Sequence, residues 1–185
     1  MTNLEDYIVE VPNAISNTLC DALINEYTNS DEWALGTICN KIDAYQRNCS
    51  LINMSSPATI QKNNEVRVKL DKDVYECVNN ALSIYVNKFP DCNIQSDTGY
   101  HLLRYNTGEY IKRHTDAGHT QPRSVSCSLG LNNDYTGGEF YFPNLNKKIK
   151  LAKGSIFLFP SSFAYPHEIL TVTSGTRYSI ITWLF

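Results

Sequence analysis

The chain has 185 residues, 42% of them hydrophobic, 11% aromatic and 19% charged, which sets a prior of one domain and excludes disordered, collagen-like and coiled-coil classes. Sixteen basic residues against nineteen acidic ones leave a net charge of −3, without the basic footprint of a protein that grips nucleic acid mainly through phosphates. At this size roughly 70% of the unfolded surface can be buried, enough for a core that needs no disulfide.

No run approaches the roughly 18 apolar residues of a membrane span, and the opening MTNLEDYIVEVPN has neither a basic start nor an apolar leader stretch. The expectation is a cytoplasmic protein without a membrane partner. Cys20, Cys39, Cys49, Cys77, Cys92 and Cys127 show no CxxC or metal-finger spacing, so reduced packing thiols are expected. The Asn-x-Ser pairs at Asn48 and Asn53 would accept glycans only in a secreted protein.

In chain order, Tyr7 to Val11 reads as a short strand stopped by Pro12. A helix follows from Ser16 to Tyr27, with Leu19, Leu23, Ile24 and Tyr27 at helical spacing. Ser30 to Val66 is polar and weakly periodic, so loops with one or two short strands are expected. A second helix is expected from Asp71 to Lys88, where Val74, Cys77, Val78, Leu82, Tyr85, Val86 and Phe89 form one stripe and Pro90 ends it. Eight of the nine glycines and fourteen of the twenty-one aromatics lie at or after Gly99, so the second half should be rich in strands and turns. Eight strands are expected there: Tyr100 to Tyr105, Tyr110 to His114, Arg123 to Leu131, Gly138 to Phe142, Lys148 to Leu151, Ser155 to Phe159, His167 to Val172 and Thr176 to Leu184. Short strands at this spacing suggest a sandwich or barrel. Ile156 to Phe159, apolar throughout, should be buried on both faces.

Chemistry concentrates in few residues. His114 and Asp116 form a His-x-Asp pair at a strand end, and residues i and i+2 of a strand point to one face. His167, 51 residues after Asp116, opens another strand that a jelly roll can bring opposite. Two histidines and a carboxylate make the facial triad of non-haem iron(II) oxygenases, although zinc or manganese would accept the same ligands. His101 is expected to face outward and His119 to sit in a loop beside the site, neither with a role. In the last strand Arg177, Ser179, Ile181 and Trp183 share a face that is mostly apolar. A buried guanidinium needs an anion, and a ligand's carboxylate suits its fork; Glu168 or Glu139 would be the ordinary structural partner. If Ser174-Gly175 turns a hairpin, Arg177 lies roughly 10 Å deeper than His167 at strand rise.

LLRYNTGEYIKRHTD, SLGLNNDYTGGEFYFP, GSIFLFPSSFAYPHEI and GTRYSIITWLF follow one another between Tyr100 and Phe185. This stretch resembles the double-stranded β-helix core of the iron(II)- and 2-oxoglutarate-dependent oxygenases, most of all the prolyl 4-hydroxylase-like group. The resemblance implies a mainly β, α+β fold with a jelly-roll, cupin-like core braced by the N-terminal helices. It implies that His114, Asp116 and His167 bind Fe(2+), that Arg177 binds the distal carboxylate of 2-oxoglutarate, that Tyr105 lines the cosubstrate pocket, and that Ser179 supplies the hydroxyl of an Arg-x-Ser pair. O2 is the second cosubstrate, and ascorbate is the reductant such enzymes admit. Arg123 and Trp183 are candidate substrate residues near the opening, with Ala117 to Pro122 and Ser30 to Val66 as a lid. Two departures stand out: many prolyl hydroxylases carry tyrosine at the position of Gly130, and collagen-type members commonly carry lysine at that of Arg177.

The expected organisation is one oxygenase domain over residues 1–185, with 1–98 as support and lid and 99–185 as catalytic core. The expected reaction is hydroxylation of a C–H bond, first choice a prolyl residue of a peptide or protein, coupled to conversion of 2-oxoglutarate to succinate and CO2. The same machinery acting on a free amino acid, a small metabolite or alkylated nucleic acid is the first alternative, the net charge arguing against the last. A non-oxidative cupin-like metal-binding module, or a noncatalytic interaction domain with a degenerate site, is an alternative of another class.

Overall fold

The computed structural model describes residues 3–38, 41–62, 64–118 and 122–185. A 3-10 turn over Leu4–Tyr7 leads into strand β1 (Val9–Val11), and helix α1 spans Asn17–Tyr27. Ser16 caps α1: its hydroxyl oxygen accepts the backbone N–H of Leu19 at 3.1 Å, satisfying one of the donors that a helix start leaves open. Cys20, Leu23 and Tyr27 are buried one above another, the spacing that an apolar stripe requires.

The segment from Ser30 to Val66 is more ordered than its polarity suggests. It contains β2 (Ala34–Leu35), β3 (Thr37–Ile38), β4 (Lys41–Ile42), β5 (Arg47–Asn48), β6 (Ser50–Asn53) and helix α2 (Pro57–Lys62). Helix α3 runs over Asn64–Lys88 and so begins before the expected Asp71. Its first turns hide from a hydrophobic count because the buried position there is charged. Arg67 is 6% exposed while Val66 and Val68 face water. The Arg67 guanidinium donates to Glu26 at 2.7 Å and to Glu32 at 2.5 Å and lies 4.7 Å over the Tyr27 ring, tying α3 to α1 where apolar contact would otherwise do so.

The second half carries β7 (His101–Tyr105), β8 (Tyr110–His114), β9 (Val125–Gly130), β10 (Thr136–Gly137), β11 (Phe140–Phe142), β12 (Lys147–Ile149), β13 (Ile156–Pro160), β14 (His167–Ile169), β15 (Val172–Ser174) and β16 (Arg177–Leu184). Every expected strand has its counterpart. The strand expected from His167 to Val172 is divided, however: its register against β8 shifts between His167 and Ile169, and β15 leaves to pair with β10.

Among the described residues, a seven-stranded sheet in the order β1-β13-β9-β16-β7-β6-β2 faces a five-stranded sheet in the order β12-β11-β14-β8-β5, all of their pairings antiparallel. This is the double-stranded β-helix. Alternation along the large sheet makes two cores. Ile156, Leu158, Leu129 and Ile180 pack against Leu23, Val74, Val78 and Tyr85 of the helices, whereas Phe157, Phe159, Leu103 and Tyr105 face inward toward Phe140, Phe142 and Ile169 of the small sheet. Both sides of β13 are therefore covered, as its unbroken apolar run requires.

The register of the large sheet orders the interior by depth. Arg177 lies opposite Tyr105, Ser179 opposite Leu103 and Gly130, Ile181 opposite His101 and Ser128, and Trp183 opposite Ser126. The hairpin considered between His167 and Arg177 does not form. β14 belongs to the small sheet and β16 to the large one, so the two residues face each other from opposite sheets.

Candidate active site and metal centre

The two sheets enclose a cavity of about 380 Å³ lined by His114, Asp116, His167, Arg177, Tyr105, Ser179, Arg123 and Trp183, all eight of the residues singled out in the sequence. His114 ends β8 and His167 opens β14, and antiparallel pairing sets them directly opposite with ring centroids 4.4 Å apart. Asp116 follows two residues after His114. One ligand atom from each of the three lies within 4.8 Å of the others, and the Nε2 atoms of His114 and His167 stand 3.5 and 3.6 Å from the two Asp116 oxygens. Neighbouring ligands of a metal bound at about 2.1 Å would be about 3 Å apart, so these side chains need move little to hold one.

Their second contacts fix how they present themselves. The Nδ1 of His114 meets the Lys112 carbonyl at 2.8 Å and that of His167 the Tyr165 carbonyl at 3.2 Å. A carbonyl only accepts, so each Nδ1 carries a proton and each Nε2 is the ring atom turned toward Asp116. Ser126 donates to Asp116 Oδ2 at 2.6 Å and shares a 2.8 Å hydrogen bond with Ser161. Burial pushes the Asp116 carboxyl pKa up, but the two imidazoles and the Ser126 hydroxyl more than offset it, holding the group below the usual carboxylate range. Burial against Phe140, Phe142 and Phe159 lowers the His167 pKa to about 4, outweighing the attraction of Asp116. Near neutral pH the triad thus offers the neutral imidazole of His167 and the carboxylate of Asp116 beside the ring of His114, a donor set that a divalent first-row metal takes.

Arg177 is 2% exposed. Its Nη1 donates to Ser179 Oγ at 2.8 Å, and its guanidinium carbon lies 4.9 Å from the Tyr105 ring and 5.4 Å from that of Phe140. No carboxylate among the described residues bridges it, so neither Glu168 nor Glu139 is its partner. Gly138, at φ +68°, makes the room: a Cβ there would stand 3.0 Å from Arg177 Cδ. The missing tyrosine at Gly130 also has a structural counterpart, since a Cβ at this position would come 2.4 Å from the Ala152 carbonyl oxygen.

Arg123 and Trp183 meet at the other end. The Arg123 guanidinium lies 3.5 Å over the Trp183 ring and donates through Nη1 to the Asp116 carbonyl at 3.2 Å, while its Nε is buried without a hydrogen-bond partner. His101 and Arg47 line the cavity too, although the sequence reading gave neither a role. His101 faces inward rather than outward and packs edge-on against Trp183 at 5.7 Å. The alternation that turns Tyr105 inward turns His101 inward too, and that signal was present. Burial and the charges of Arg47 and Arg123 lower its pKa to about 4. Arg47 enters from β5, its Nε 3.3 Å from Cys49 Sγ. Here the signal was Arg47-x-Cys49-x-Leu51, a period of two inside a segment expected to be mostly loop. His119 and Cys39 lie outside the described residues. The other five cysteines are free thiols, and no helix among the described residues is long and apolar enough to cross a membrane.

Residues 100–185 match the family model of the 2OG-Fe(II) oxygenase superfamily. The chain is 36% identical over 78 residues to a PKHD-type hydroxylase of Psychrobacter sp. (strain PRwf-1), a match covering 40% of this chain and 29% of that protein. Over 181 residues it is 25% identical to a PKHD-type hydroxylase of Shewanella oneidensis, covering 96% of this chain and 77% of the other. Its fold superposes on a Trichoplax adhaerens prolyl hydroxylase, solved in complex with a peptide of the hypoxia-inducible factor oxygen degradation domain, with a TM-score of 0.79 at 21% identity, over 97% of this chain and 83% of that one. The chain spans 28% to 40% of the length of the first three curated relatives it matches. These matched residues form the double-stranded β-helix and carry His114, Asp116 and His167 at one point, so it is through residues 100–185 that the chain is similar to the 2OG-Fe(II) oxygenase superfamily.

Proposed function

We propose that this chain is a 2-oxoglutarate- and Fe(2+)-dependent dioxygenase that hydroxylates a C–H bond, with a prolyl residue of a peptide or protein as substrate, and that residues 1–185 act as one oxygenase domain. The observation that carries the reading is the pairing of a two-histidine, one-carboxylate cluster with a buried, acid-free guanidinium in one cavity. When bound, ferrous iron with 2-oxoglutarate and O2 supplies the oxidant, the cosubstrate leaving as succinate and CO2 while one oxygen atom enters the substrate C–H bond as hydroxyl.

The chain's residues would bind, orient and exclude water. His114, Asp116 and His167 would hold the metal, and the Ser126 hydroxyl and the Lys112 and Tyr165 carbonyls keep these ligands aimed. Arg177, backed by Ser179 and walled by Tyr105 and Phe140, would take the far carboxylate of 2-oxoglutarate as a two-pronged charge-assisted pair. Leu103, Tyr105, Phe140 and Phe159 keep the inner half dry, where such a pair is stronger than in water. The peptide reading is supported by the peptide complex of the Trichoplax relative and the hydroxylase relatives. Arg123 and Trp183 would meet the substrate.

The test is oxygen-dependent succinate formation by protein loaded with Fe(2+) and 2-oxoglutarate, with proline-rich peptides, free proline and alkylated oligonucleotides offered in parallel and products weighed by mass spectrometry. A peptide gaining one oxygen atom is the expected product, and His114→Ala and Asp116→Ala should abolish it even at saturating iron. Full turnover in either variant would move the metal site elsewhere, and no succinate with any substrate would mark a binding module.

A further inference from the structure

The imidazole of His101 lines the cavity and makes no hydrogen bond to any described residue; its ring contact is the edge of Trp183, at 5.7 Å. Other polar side chains nearby are committed: Arg177 donates to Ser179, Arg123 to the Asp116 carbonyl, and Ser128 to the Ile180 carbonyl at 3.4 Å. Burial, reinforced by neighbouring guanidinium charge, lowers the His101 pKa to about 4, so near neutral pH the ring is uncharged and offers one N–H and one lone pair. Sheltered polar atoms of this kind cost free energy until a ligand satisfies them.

Register gives the ring its place. His101 stands four residues, roughly 13 Å, along β7 from Tyr105, which lies opposite Arg177, so His101 is at the entrance end, away from the seat of the cosubstrate's far carboxylate. Its row across the large sheet is His101, Ile181 and Ser128, an apolar side chain between two polar ones on strands about 10 Å apart. A prolyl ring is apolar and flanked by amides, which matches that row. An ammonium group would be repelled by Arg123, and a carboxylate would be drawn to Arg123 instead of to a neutral ring. An amide, with both an N–H and a carbonyl, complements a neutral imidazole.

We propose that His101 is a specificity-determining residue whose imidazole hydrogen-bonds a backbone amide next to the hydroxylated residue, so that the site favours peptides over substrates lacking that amide. The inference rests on the oxygenase reading with a peptide substrate and adds to it the residue that recognises the peptide bond.

The experiment measures binding without oxygen to protein loaded with Fe(2+) and 2-oxoglutarate, by competition against a fluorescent peptide. The probes are a blocked decapeptide of alternating alanine and proline and its depsipeptide, in which every amide after proline is an ester with no N–H and a weaker carbonyl acceptor. One sheltered hydrogen bond predicts that the parent binds the amide peptide about 5-fold to 30-fold tighter than the ester. His101→Phe should bring that ratio close to unity while leaving 2-oxoglutarate affinity and metal loading as in the parent. His101→Gln, which keeps a donor and an acceptor, should retain most of the preference. Should His101→Phe fail to fold, His101→Leu reads the same ratio. Equal affinity of the parent for amide and ester, or affinity for neither, overturns the proposal without any variant. So does a ratio that persists in His101→Phe, or a loss of 2-oxoglutarate affinity there, which would seat His101 against the cosubstrate. Admitting oxygen separates the two failures: succinate formed with free proline or an alkylated oligonucleotide but not with the peptide leaves the oxygenase standing, whereas no succinate with any probe removes both.

Discussion

Arg177 is buried, positively charged and without a carboxylate partner among the described residues. A charge kept in this state weakens the empty protein, because desolvation is uncompensated until an anion arrives. Removing it should therefore split function from stability. Arg177→Met is expected to lose about 10² to 10³ in 2-oxoglutarate affinity, as for deleting one side of a buried ion pair. Ligand-free Arg177→Met should melt no lower than the parent, and adding 2-oxoglutarate should raise the melting temperature of the parent alone. Parallel titrations by calorimetry and thermal melting check both, and unchanged cosubstrate affinity would remove Arg177 from its assigned role. At the same scale, Ser126 shows what residue types alone conceal. Nothing in its identity marks it, yet its register opposite Trp183 and its 2.6 Å hydrogen bond to Asp116 make it the orienter of the carboxylate.

Among elements, β9 carries the departure from the prolyl hydroxylase pattern. Gly130 sits where a side chain would meet the Ala152 carbonyl oxygen at 2.4 Å and Leu151 Cγ at 3.0 Å, so the backbone before β13 occupies the space that a tyrosine needs. Gly130→Ala is expected to destabilise the protein by about 1 to 3 kcal/mol through overpacking, read as a lower urea midpoint at unchanged m-value; a neutral result would mean that the 151–152 turn yields freely. Helix α3 makes a related point. Its stripe from Val74 to Val86 was legible as a period of 3.6, but its first turns were not, because Arg67 with Glu26 and Glu32 replaces apolar burial there and hydrophobic periodicity does not register ion pairs. β5 and β6 were obscured for a different reason: two- and four-residue strands are too short for a period to show, and they exist because β8 and β7 offer them free edges.

For the molecule as a whole, the buried triad makes stability depend on pH. The His167 pKa is lowered to about 4 in the fold from about 6.5 unfolded. Between those values the unfolded chain takes a proton that the native state refuses, so stability present above pH 6.5 is lost on acidification toward 4. Asp116, held below its unfolded value, acts with the same sign at lower pH: its contribution is present above about 4 and lost as pH falls through the folded pKa. Metal-free protein taken from pH 7.5 to 5 should lose about 2 kcal/mol through His167 alone, a fall of roughly 4 to 8 °C in melting temperature. A His167→Gln variant should show a smaller slope over that range, and an identical slope would place the titration elsewhere.

The sequence by itself determined the parts that local rules encode: the amphipathic helices, the alternating strands with their Gly and Asn turns, the buried strand at Ile156–Phe159, and the pairing of His114 with Asp116 two residues on. These need only the period of the chain and the chemistry of each side chain. Only the tertiary structure decided which strands face each other. It set His167 opposite His114 across a β-ladder, placed Arg177 in the other sheet instead of on a hairpin from His167, and brought Arg47 and His101 from distant segments into the same cavity. The reason is that sheet order and register are fixed by long-range backbone hydrogen bonds and by filling one shared core, and neither is written in the spacing of any single segment.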